Sequence, residues 1–200
     1  MKNLIVGFAI AATALTACNS GTNSTTDSTK KQDDTSRMVT DAAIGNDTAA
    51  IAADNTGASM KEMVGQYLQM KNALANDDGK AAAAAGKAYV ESMGKMDKTT
   101  LAADKLKIWN NLSDDAKEMA EHIGENADKL EHQREHFDML SKDMYDMVKA
   151  FGAGQPLYKD YCPMYNDKKG AIWLSEIKEI KNPYQGKKMP TCGSMKEEIK

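Results

Sequence analysis

The chain has 200 residues, of which 42% are hydrophobic and 28% are charged, and its formal net charge is -3. This length permits one or two domains with a modest core. Proteins that bind duplex nucleic acid need a clustered basic surface, so this charge balance predicts no nucleic-acid partner. The 14 methionines and three cysteines are either flexible core side chains or a supply of soft sulfur ligands.

The N-terminal segment is predicted to direct export. Lys2 gives a short basic start, and the apolar run over residues 4–15 is too short to cross a membrane as a helix. The run ends in Leu-Thr-Ala-Cys at residues 15–18, which resembles the lipobox of bacterial lipoproteins. We therefore expect a signal peptide over residues 1–17 and a lipid anchor on Cys18. The protein would then face the periplasm from the cell envelope, and Asn19 after the anchor favours the outer membrane.

A tether and then a helical body are predicted to follow the anchor. Residues 18–57 are rich in small polar residues and should form a disordered tether to a domain over residues 58–200. Apolar side chains then recur every three or four residues in four segments, from Ser59 to the break at residues 76–79 and over about residues 80–96, 101–123 and 127–151. This pattern predicts an all-α fold, a four-helix up-down bundle.

The C-terminal part, about residues 155–195, is predicted to be a small cap of different structure. All four prolines of the chain lie here, which excludes a fifth long helix. We expect short extended pieces at about residues 157–161 and 171–174, folded onto one end of the bundle.

Two Cys-Met pairs in this cap are the strongest candidate for chemistry. Cys162 and Met164 form one pair, and Met189 and Cys192 form the other. Four soft sulfurs at one point would favour Cu(I) or a similarly soft cation. The alternative is a disulfide between Cys162 and Cys192, which an exported, oxidising compartment favours. The residues alone leave both possibilities open.

His132 and His136 are a second, weaker metal candidate. An i, i+4 spacing on a helix places two imidazoles about 6 Å apart, which suits Zn or Cu. The alternative is a pair of ordinary surface histidines in a charged helix. His122 lies about 15 Å farther along the helix axis, and without a bend it is expected not to share an ion with them.

No pattern of known catalysis is found in the sequence, and we predict that the protein is not an enzyme. It lacks the Gly-x-Ser-x-Gly, phosphate-loop and His-Glu-x-x-His patterns, and no histidine has the Glu-x-x-His spacing of di-iron bundles. Gln133 falls near the apolar stripe of its helix. It is predicted to hydrogen-bond to the C-terminal segment, because a buried amide needs partners.

Several strings over about residues 60–195 resemble a domain family of unknown function. It occurs in bacterial exported lipoproteins and attached to periplasmic adaptor proteins of copper and silver efflux pumps. The strings are Tyr67-Leu68, Gln133-Arg134-Glu135-His136-Phe137, Tyr161-Cys162-Pro163-Met164, Ile180-Lys181-Asn182-Pro183-Tyr184 and Met189-Pro190-Thr191-Cys192-Gly193. The resemblance implies that the two Cys-Met pairs handle metal.

Together these features predict a lipid-anchored exported protein that binds a soft metal, with Cu(I) as the leading cargo. It would act as a buffer or as a chaperone that hands the ion to a metal-efflux component. The competing hypothesis is a non-catalytic interaction module of the envelope, with its cap pinned by a Cys162–Cys192 disulfide.

Overall fold

Four long helices make up most of the protein. The computed structural model describes residues 47–200, and the predicted signal peptide, Cys18 and most of the predicted tether lie outside them. The helices are α1 (Asp47–Ala75), α2 (Gly79–Met93), α3 (Ala103–Glu125) and α4 (Leu130–Phe151). Helices adjacent in the chain pack on each other, since α1 contacts α2, α2 contacts α3 and α3 contacts α4. The four predicted helices are therefore present and pack as a bundle.

The helix boundaries follow local chemistry. Asp78 caps α2, where its side chain accepts a hydrogen bond from the backbone N–H of Ala81 at 2.9 Å. The helix that was predicted from Ser59 begins at Asp47, and Ser59 is not its N-cap but an interior residue whose hydroxyl donates to the carbonyl of Lys95 at 3.3 Å. Among the described residues, no helix has both the length and the apolar character that a bilayer span requires.

Small residues allow α2 and α3 to approach closely. A Cβ added to Gly86 of α2 would lie 2.8 Å from the carbonyl oxygen of Ala120 on α3. Larger side chains at this crossing would separate the two backbones. The small residues of α2 therefore give a tight helix pair.

The cap is a three-stranded antiparallel sheet with the strand order β2-β1-β3. Strands β1 (Leu157–Cys162) and β2 (Ala171–Ser175) coincide with the two predicted extended pieces, and β3 (Ser194–Ile199) is a strand that the sequence did not reveal. In the central strand, Cys162 pairs with Ala171 of β2. The domain is thus mostly helical with a small sheet, and the sheet carries Cys162, one member of the predicted sulfur site.

Arg134 fastens the C-terminal segment to the helices. Its buried guanidinium donates to the carbonyl oxygens of Pro183 at 2.9 Å and Leu74 at 3.1 Å, and it also pairs with Asp77. Gln133 was predicted to make this link, and that prediction is wrong. Its amide instead donates to backbone carbonyls at the start of α2 and near the end of α3.

Candidate metal centres

The two cysteines of the cap lie side by side although 30 positions separate them. The Sγ atoms of Cys162 and Cys192 are 3.7 Å apart, and both cysteines are free thiols. Cys162 is fully buried at the end of β1, whereas Cys192 is partly exposed. The fold therefore assembles a thiol pair with one buried member and one member near solvent.

Hydrogen bonds and a glycine hold the loop that carries Cys192. The buried side-chain amide of Asn182 donates to the carbonyl of Cys192, and the N–H of Asn182 donates to the carbonyl of Pro190 at 2.9 Å. Gly193 follows with φ +143, and a Cβ there would lie 2.9 Å from the ring of Trp173. Any larger residue would therefore push the loop away from the sheet and separate the thiols.

The two methionines of the predicted four-sulfur set have a different environment. Met164 is 47% exposed and Met189 is 39% exposed, while Cys162 has no accessible surface. Of the four predicted sulfur ligands, the two cysteines are thus the more buried ones. The thioethers lie on the outer surface of the cap.

The spacing of the thiols suits a metal ion. Two thiolates on one tetrahedral ion, each with a bond of about 2.3 Å, lie about 3.8 Å apart, and such an ion takes two further ligands besides the thiolates. Partial burial and the neighbouring Cys162 raise the pKa of the Cys192 thiol. Metal binding would have to displace this proton, because the thiolate is the ligand.

The three histidines of the chain converge at the turn between α3 and α4. The ring centroids of His132 and His136 are 4.4 Å apart, and those of His122 and His136 are also 4.4 Å apart. One candidate ligand atom from each residue lies within 4.8 Å of the other two. His122 was predicted not to share an ion without a bend in the chain, and a bend is present, because α3 ends at Glu125 and the chain folds back into α4.

The local environment of the histidines favours the neutral form of one ring. Partial burial, followed by the charges of His122 and His132, lowers the pKa of His136. Neutral imidazole is the form that binds metals. All three histidines are partly buried.

Sequence reasoning missed His122 and Met119 as members of this cluster. Nδ1 of His136 lies 3.3 Å from the sulfur of Met119 on α3. The short connection between the two helices was the available signal. Residues at similar distances from a tight turn lie opposite each other on antiparallel helices, so His122 could have been paired with His132.

The fold and its side chains define a mostly helical domain with a small antiparallel sheet and two clusters of metal-ligand type. Residues 63–156, just under half of the chain, match the family model described as Protein of unknown function (DUF3347). The match contains the histidine cluster and ends before β1, so both cysteines of the cap lie outside it. Neither the search of curated proteins nor the search of solved structures found a match.

Proposed function

We propose that this protein handles a soft metal ion, Cu(I) foremost, in the cell envelope, and that the thiolates of Cys162 and Cys192 hold the ion. The observation that supports this most is the 3.7 Å distance between two free thiols that come from separate parts of the cap. Thiolate ligands select soft cations over hard ones. A buried thiol beside a more exposed one gives the ion a protected position with a route to solvent.

The proposal narrows the predicted four-sulfur set to a thiolate pair. Met164 and Met189 are exposed, so they are assigned to capture or transfer of the ion at the surface and not to its buried ligand shell. A lipid anchor at Cys18 would place such a site at the membrane, where a metal-efflux component could receive the cargo. This is the arrangement expected for a buffer or a chaperone.

Anaerobic titration with Cu(I) tests the proposal. The full chain would carry Cys18→Ser, so that Cys162 and Cys192 are its only thiols, and a chromogenic Cu(I) chelator would compete for the ion. We expect one tightly bound Cu(I) per chain and at least a hundredfold weaker binding after Cys192→Ser. Met164→Leu is the matched control, and we expect its affinity to stay within about tenfold of the parent.

Equal affinity of the parent and Cys192→Ser would overturn the proposal. The competing function, an interaction module with a disulfide-pinned cap, predicts a different result. Alkylation of protein taken directly from the envelope would then modify neither thiol, its intact mass would be two hydrogens lower than after reduction, and the reduced protein would not bind Cu(I) tightly.

A further inference from the structure

The histidine cluster contains every histidine of the chain. Its three members, His122, His132 and His136, come from two helices and meet at the single turn between them. His122 lies in the last turn of α3, and the other two lie one turn apart near the start of α4. In the part of the chain that the structure describes, this is the one group of three His, Cys, Asp or Glu side chains with ligand atoms close enough to share an ion.

Two of the ring nitrogens already face each other. Nε2 of His132 and Nε2 of His136 are 3.1 Å apart, a hydrogen bond in which one nitrogen donates to the other, so metal binding would have to displace that proton. Two nitrogens bound to one tetrahedral ion, with bonds of about 2.0–2.1 Å, lie about 3.3–3.4 Å apart. A small outward movement of either ring would therefore place both nitrogens at bonding distance from an ion between them.

The other nitrogen of each of these rings faces an acceptor. Nδ1 of His136 lies 3.3 Å from the sulfur of Met119, and Nδ1 of His132 lies 3.5 Å from Oε2 of Glu135. When Nδ1 carries the proton, its partner stabilises that tautomer and Nε2 keeps its lone pair for a metal. Nδ1 and Nε2 of one imidazole point in different directions. Met119 therefore contacts His136 on the side away from the proposed ion and is not itself a ligand of that ion.

His122 completes the cluster from the opposite helix. Its Nε2 lies 3.7 Å from Oε1 of Glu118, which leaves Nδ1 as the ligand atom. Its ring stacks on that of His136 with an angle of 7° between the planes. The lone pair of Nδ1 lies in the plane of its own ring, so in this arrangement it runs parallel to the His136 ring and does not point toward an ion at His136. The side chain is 42% exposed and has room to turn toward an ion. Metal binding should therefore break this stacking.

We propose that His122, His132 and His136 form a second metal site, which binds a divalent ion of borderline softness such as Zn(II) or Cu(II), with Met119 as a positioning residue. Three imidazoles without a thiolate suit these ions, while Cu(I) prefers the softer cysteine pair. Three protein ligands also leave a fourth position open to solvent or to a ligand from a partner. The site is independent of the thiol pair, so either can fail without the other.

Zn(II) titration followed by NMR of the histidine side-chain nitrogens tests the site, since the full chain gives six such signals. We expect one Zn(II) to shift all three rings together, with metal bound at Nε2 of His132 and His136 and at Nδ1 of His122. His132→Ala should weaken Zn(II) binding at least tenfold. The Cys162→Ser, Cys192→Ser double variant should bind Zn(II) at the histidines as the parent does.

Met119→Leu is the test of positioning, because leucine fills a similar volume without an acceptor for Nδ1–H. We expect about tenfold weaker Zn(II) binding and a shift of the metal-free His136 ring toward the other tautomer. The exposed change Glu125→Ala near the same turn is the matched control and should alter neither. Thermal unfolding would establish that each variant is folded.

Three outcomes would overturn the site: no Zn(II) binding at micromolar concentrations, shifts in only one or two rings, or unchanged affinity in either His132→Ala or His136→Ala. The cluster would then be a stacked group of side chains between two helices. If Met119→Leu changes neither the affinity nor the tautomer, the positioning role of Met119 is refuted while the three-histidine site stands.

Discussion

Replacement of Arg134 by methionine is expected to destabilise the domain strongly. The guanidinium is only about 5% exposed and donates to two backbone carbonyls and two carboxylates. Methionine keeps much of the volume but leaves the carbonyl oxygens of Leu74 and Pro183 without this donor. A buried acceptor left unpaired, as at Pro183, costs about 1–3 kcal/mol, and the lost bond from the charged guanidinium to Leu74, whose carbonyl still accepts from the N–H of Asp77, costs about 1.5–3 kcal/mol. Asp77 and Glu131 are more exposed, so their lost ion pairs add little. We therefore expect a loss of about 3–5 kcal/mol in the free energy of unfolding.

Chemical denaturation of the Arg134→Met variant would measure this loss. Lys149→Met is the matched control, because it also removes a positive charge from α4, but from a side chain that is 48% exposed and pairs with the partly exposed Glu197. Its expected cost is about 0–1 kcal/mol. Hydrogen exchange should also increase around residues 182–186 in the arginine variant, since Pro183 is released from the helices. Equal costs for the two variants would refute the assigned role of Arg134.

Three further predictions concern pH, packing and reactivity. Burial, followed by the charges of Asp115 and Asp146, raises the pKa of Asp143 from 3.8 to about 6. Because the folded-state pKa is raised, ionisation of Asp143 lowers the free energy of unfolding progressively as pH rises from about 4 to about 6. Asp143→Asn should therefore stabilise the protein by about 1–2 kcal/mol at pH 7.5 and by little at pH 3.5 in urea denaturation. A stability difference that does not change with pH would contradict this. Gly86→Ala should destabilise the protein by about 1–3 kcal/mol because the added Cβ meets α3. Gly65→Ala, in open space on α1, should stabilise it by up to about 1 kcal/mol. A melting temperature that is higher for Gly86→Ala than for Gly65→Ala would contradict this packing. Maleimide labelling of the reduced chain should modify Cys192 well before the fully buried Cys162, and equal rates would contradict the buried position.

Periodicity in the sequence was enough to predict the helices and two of the strands, because each buries an apolar face that is visible in the residues. Strand β3 was not predicted because it is an edge strand with mostly exposed side chains, Ser-Met-Lys-Glu-Glu-Ile, that show little apolar alternation. The start of α1 at Asp47 was missed for a related reason. The segment before Ser59 has few large apolar residues, so its composition is typical of a linker.

Sequence reasoning identified members of both candidate sites but not their geometry. The pairing of Cys162 with Cys192 could be proposed from the two Cys-Met strings, yet their different burial depends on how β1 and the following loop pack. His132 and His136 were identifiable because a helix fixes the spacing of residues four apart. His122 joins them through tertiary structure, since the turn after Glu125 brings α3 against α4. Contacts between helices are set by packing, and no local pattern contains them.

The most direct test of metal handling is native mass spectrometry of the reduced full chain with Cys18→Ser, after exposure to one equivalent each of Cu(I) and Zn(II) under anaerobic conditions. We predict one copper and one zinc per chain, with the copper lost in Cys192→Ser and the zinc lost in His132→Ala. A chain that binds no copper, or that retains copper after Cys192→Ser, would contradict the proposed function.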